Sequence, residues 1–136
     1  MKKTTKRFLA FILAIFVINC SVLPALAAGV ILDSVAVAHV SGTFSRTLTA
    51  PSDKAPRSFC ISASKDGGNV PAGTLGTVTL NNNPNFSYVF TYGKGNQYFN
   101  LPAALIRNGA SIKFTVTPSS SSYQWNTYIA TFDQFN

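Results

Sequence analysis

The chain of 136 residues contains no glutamate, a single histidine, two cysteines and four aspartates, so most side chains that do chemistry are absent or solitary. Each shortage excludes something. A glycosidase sets two carboxyl groups across the scissile bond. The carboxylates here are Asp33, Asp53, Asp66 and Asp133, and the last three read as turn or strand-end residues whose oxygens serve backbone N–H groups. A Ser-His-Asp hydrolase would need His39 as base and a serine on an exposed elbow, yet no G-x-S-x-G run occurs. His39 follows Val35 and Val37 at strand spacing, which predicts a packed or strand-end histidine. One histidine and one cysteine beyond the amino-terminal segment cannot supply the three or four ligands of a zinc site, and no D-x-D-x-D-G calcium loop is present. No enzyme, metal or cofactor is expected.

Long apolar runs are scarce as well. The only one, Phe8 to Ile18, is shorter than the roughly 20 residues a membrane-spanning helix needs. It follows Lys2, Lys3, Lys6 and Arg7 and precedes Pro24-Ala25-Leu26-Ala27, and this order is that of a secretory signal peptide over residues 1–27. Cleavage is expected between Ala27 and Ala28, or one residue further on. Lipidation at Cys20 is disfavoured by Asn19, where a small residue is wanted. The signal carries four of the eleven Lys and Arg residues, so the remainder has seven basic against four acidic residues. Those seven are scattered singly, without the cluster that tracks phosphates, and no nucleic-acid partner is expected. Contact with a membrane is expected only through the signal before cleavage, and secretion to the medium is the expected destination.

What is plentiful is strand-forming sequence. Residues 28–136 form one domain of ordinary size, rich in Thr, Ser, Val and aromatic residues. Apolar residues alternate by two around Val35 and Val37, Phe44 to Leu48, Phe59 to Ala63, Thr74 to Leu80, Phe86 to Tyr92, Gln97 to Leu101, Ile112 to Val116 and Tyr123 to Phe132. Turn signals separate them, among them Asp66-Gly67-Gly68-Asn69, Asn81-Asn82-Asn83-Pro84 and Gly93-Lys94-Gly95-Asn96. Pro102 to Ile106 reads as a brief helical turn or loop. The expectation is an all-β single sandwich of seven or eight strands, immunoglobulin-like or jelly-roll. An outer-membrane barrel fits poorly, because the strands are short and their second faces are mainly Ser and Thr.

Phe86, Tyr88, Phe90 and Tyr92 place four rings on one strand face, a stripe that suits a sandwich core and also a platform on which sugar rings stack. Tyr123, Trp125 and Tyr128 lie beside the polar Ser119–Ser122 loop and are the better surface group. Tyr123, Trp125, Tyr88 and Tyr92 are therefore the candidate ligand contacts. Asn85-Phe86-Ser87 fits a glycosylation acceptor pattern. Cys60, the one cysteine outside the signal, has two readings: a small buried thiol, or an outward thiol able to bridge two molecules. These features lead to three functional expectations. The first is a non-catalytic secreted protein that binds a cell-surface or matrix glycan. The second is a toxin or bacteriocin-like effector acting on membranes. The third is a self-assembling extracellular subunit joined through Cys60 and an exposed edge strand.

Overall fold

The computed structural model describes residues 29–136, so the basic segment, the apolar run, Cys20 and the expected cleavage point at Ala27–Ala28 lie outside the described residues. Eight strands follow in order: β1 Ile31–Val40, β2 Phe44–Thr49, β3 Ser58–Lys65, β4 Leu75–Leu80, β5 Asn83–Thr91, β6 Gln97–Asn100, β7 Ser111–Pro118 and β8 Trp125–Phe132. A single turn of 3-10 helix, Ala103–Leu105, lies between β6 and β7, as Pro102 to Ile106 predicts. The strands form two four-stranded sheets, β1-β8-β3-β6 and β2-β7-β4-β5. Every neighbouring pair is antiparallel.

Partners nest outward from one hairpin: β4 with β5, β3 with β6, β2 with β7, β1 with β8. A long hairpin rolled into two sheets in this way is the jelly-roll arrangement, which decides between the two sandwich types expected. The tip of that hairpin explains its register. Leu80 pairs with Asn83, leaving Asn81 and Asn82 as a two-residue loop with φ of 51° and 56°. Two positive φ values define the turn whose twist matches paired strands, and asparagine is among the few side chains that tolerate them. Asn81 also holds the tip against β7, its N–H donating to the Lys113 carbonyl and its Oδ1 accepting from the Lys113 N–H.

The core lies between the sheets and is built around rings. Phe59 meets Tyr88, Phe99 and Phe114 with centroids 5.2, 5.4 and 5.2 Å away. A second group packs Phe90 against Tyr92 and Tyr92 against Trp125 with tilted rings, at 4.9 and 4.2 Å. Aliphatic side chains from both sheets, Ile61, Val78, Leu80, Ile112, Val116 and Ile129 among them, fill the space between. Two polar residues sit in this interior. Thr127 and Thr131 on β8 are buried, and neither Oγ1 has a hydrogen-bond partner. A buried hydroxyl left unpaired costs about 1–3 kcal/mol. Thr127→Val and Thr131→Val are therefore each expected to raise stability by roughly 1 kcal/mol, read as a higher urea midpoint with unchanged slope.

Side chains cover some of the backbone groups on two of the edge strands. Gln97 accepts from the Thr91 N–H at 2.8 Å and donates to the Thr91 carbonyl at 2.7 Å, so one amide serves both groups on edge strand β5. Asp33 accepts from the Thr49 N–H and Arg46 donates to the Ser45 carbonyl on edge strand β2, both at 2.8 Å. Occupied edges resist pairing with a second sheet.

Candidate functional site

Two of the four aromatic residues expected to contact a ligand belong to the core. Trp125 is 2 % exposed and Tyr92 4 %. Their rings pack together at a tilt of 48°, and the indole N–H donates to the Ser120 carbonyl at 3.3 Å. This corrects the surface reading of Trp125: the serine-rich loop closes over the ring and leaves no face for a ligand. Tyr88 is half-buried, edge-on to Phe59, with its hydroxyl donating to the Asn100 carbonyl at 3.0 Å. Tyr123 is half-buried against Trp125 and carries the Lys65 ammonium 5.3 Å above its ring. The alternating stripe on β5 is thus a core stripe.

The two outer faces of the sandwich differ. On the β2-β7-β4-β5 sheet the outer residues are mainly Ser and Thr, and many bond to one another across strands: Ser45 with Thr115, Thr49 with Ser111, Thr79 with Ser87. On the β1-β8-β3-β6 sheet the outer face is divided. At one end, Cys60, Ala130 and Phe132 form a small second cluster beneath Tyr98 and Tyr128. The tail after β8 folds over this end: Ser58 donates to the Gln134 carbonyl at 2.6 Å and the Asn136 N–H donates to Asn100 at 2.7 Å.

The other end is open. Strand β6 has four residues and pairs only with Ser58 to Ile61, so the second half of the eight-residue β3 lacks a strand on that side. The Gly93 N–H fills part of the gap by donating to the Ala63 carbonyl at 2.7 Å, which stands the Gly93–Gly95 turn beside the sheet. Gly93 and Gly95 take φ of 80° and 75°, which glycine adopts without strain. The result is a groove of about 470 Å³. Ala36, Ala38, Ser62 and Ser64 line it with short side chains, Tyr128 and Asn126 supply its larger ones, and the turn forms a wall. No charged residue lines it. Tyr128 pairs with Ala36 on one side and Ser62 on the other, so its ring stands where the open floor meets the covered cluster. Asn126 accepts from the His39 N–H through Oδ1, which leaves its two amide hydrogens for another acceptor. None of Tyr88, Tyr92, Tyr123 or Trp125 lines this groove.

His39 is not packed on the face of Val35 and Val37. The register slips between Val37 and Val40, and His39 sits in that bulge with φ of 59°. A bulge inserts a residue and re-aims its side chain. His39 is turned outward, and its Nδ1 lies 2.6 Å from Oδ2 of Asp66. Asp66 therefore pairs with a side chain as well as occupying a turn, a contact that local turn chemistry could not reveal. Among the described residues no group of three or more His, Cys, Asp or Glu side chains converges.

Cys60 is free and wholly buried under Tyr98 and beside Ala130, which corrects the intermolecular-bridge reading: no partner molecule reaches the sulfur. Both faces of β3 are covered at this point, the inner by the core and the outer by the tyrosines and tail. Burial pushes the thiol from 9.0 to about 11 and the Tyr92 phenol from 10.0 to about 12, and it raises Tyr88 as well. The unfolded chain would release these protons near pH 9 to 10, whereas the folded chain holds them. Their contribution is complete below pH 9 and is lost as pH climbs toward the folded values near 11 and 12. Urea midpoints should decline from pH 9 upward, and Cys60→Ala should remove the earliest part of that decline. A midpoint constant to pH 11 would contradict the burial of these groups. No protein-family model, curated protein or solved structure matches the chain.

Proposed function

We propose that the chain is a secreted, non-catalytic jelly-roll protein that binds a glycan in the open groove of the β1-β8-β3-β6 sheet. The fold hosts many activities and carries no function by itself. The observation that carries the reading is the groove: uncharged, of ligand size, with one aromatic wall, two serines and a free amide. Small-molecule sites have volumes of about 300–1,000 Å³ and combine apolar surface with a few placed polar groups. A sugar ring offers an apolar C–H face for Tyr128 and neutral hydroxyls for Asn126, Ser62 and Ser64, which suits this lining better than a charged ligand would. The site is thus reassigned from the aromatic residues the sequence favoured to Tyr128, which it placed in the same surface group.

Retention on immobilised polysaccharide tests this. Tyr128→Ala should reduce retention at least tenfold, about 1.4 kcal/mol, while lowering the melting temperature much less than loss of a fully buried ring does, because Tyr128 is half-buried and covers only the small outer cluster. Retention equal to wild type would remove the groove from consideration. Cys60, one of the two means the self-assembly reading needs, is buried.

A further inference from the structure

We infer that the glycan is acidic, with its neutral portion in the groove and an anionic group held in an adjoining cavity beside Lys94; this rests on the groove reading above. The second cavity, of about 530 Å³, lies between the Gly68–Gly73 loop and the Thr91–Lys94 segment. It shares Gly93 with the groove, so the two spaces flank one turn. A ligand occupying both must cross that glycine backbone, which a chain of sugars does and a single ring does not.

The two spaces differ in charge. The groove has none, whereas Lys94 lines the second cavity and Lys65 reaches its rim, its Nζ 3.4 Å from where a Cβ on Gly68 would stand. Lys65 donates to the Gly67 carbonyl and covers the Tyr123 ring, which fixes the position of its ammonium group. Neither lysine has a carboxylate partner among the described residues. Among the described residues the one close contact between a carboxylate and a basic side chain is Asp66 with His39. Two unmatched ammonium groups beside a neutral sugar-sized groove fit a polysaccharide bearing carboxylate or sulfate groups.

Calorimetric titration of the secreted protein distinguishes the possibilities, with oligogalacturonate against its methyl ester and dextran sulfate against dextran as probes. The acidic member of at least one pair should bind two- to fivefold more tightly at low salt, the range expected of an exposed ion pair, and the advantage should shrink as salt screens it. The pair showing that advantage identifies the anionic group. Lys94→Gln should abolish the preference while leaving binding of the neutral member intact, and Tyr128→Ala should weaken both members. Equal binding within each pair, or a preference unchanged in both Lys94→Gln and Lys65→Gln, would overturn the acidic assignment alone. Neutral binding that survives Tyr128→Ala undiminished would overturn the groove reading as well.

Discussion

Trp125→Ala is expected to destabilise the protein severely, and any binding it loses will be lost for that reason. The indole is buried between Tyr92 and Tyr123 and bonded to the Ser120 carbonyl. Removing a buried tryptophan side chain costs about 3–5 kcal/mol, a large share of the roughly 5–15 kcal/mol that holds an ordinary domain together. For a domain of this size the melting temperature should fall by roughly 15 °C or more. Circular dichroism against temperature gives the value. A fall of only a few degrees would mean that the ring is peripheral and would return it to the list of surface contacts. The comparison with Tyr128→Ala is informative because the main losses differ: stability in the one variant, ligand in the other.

Gly76→Ala should destabilise by about 2–3 kcal/mol through overpacking. Gly76 lies on the inner face of β4, paired with Phe90 and Pro118. A Cβ there would stand 2.5 Å from Cε1 of Tyr92 and 2.6 Å from Cζ of Phe90. Both rings are buried and packed against each other, so neither can swing aside without disturbing Trp125 beyond them. An opposing effect exists, since alanine in a strand loses less backbone entropy than glycine, by roughly 0.5–1 kcal/mol. A lower urea midpoint shows that packing dominates; a higher one would show that the rings have room to move.

The sandwich was legible because its inner faces repeat every two residues: Phe59, Ile61 and Ala63 on β3 or Ile112, Phe114 and Val116 on β7 announce strand and buried face together. The jelly-roll order was not legible, because alternation says which way a side chain points and nothing about which strand lies alongside. His39 stands at a strand end, one of the two places expected for it, but its outward turn was not legible for a related reason. The bulge between Val37 and Val40 shifts its phase by a residue, and no glycine or proline marks the place. Trp125 was misread because a polar loop nearby suggests surface, whereas Ser119–Ser122 folds back over the ring. The groove depends on a mismatch in length between β6 and β3, and on a tail that covers one end of a face and leaves the other bare. Ala36, Ala38, Ser62 and Ser64 are visible in the sequence as small residues at alternate positions, but only the pairing of β1, β8 and β3 brings them to one floor.

The most direct test of the groove as the binding site is to follow backbone amide shifts by NMR while titrating an oligosaccharide that the protein retains. The expected result is a set of shifts confined to Ala36, Ala38, Ser62, Ser64, Asn126, Tyr128 and the Gly93–Gly95 turn. Shifts centred on the Ser and Thr rows of β2, β7 and β4, with the groove amides unmoved, would contradict it.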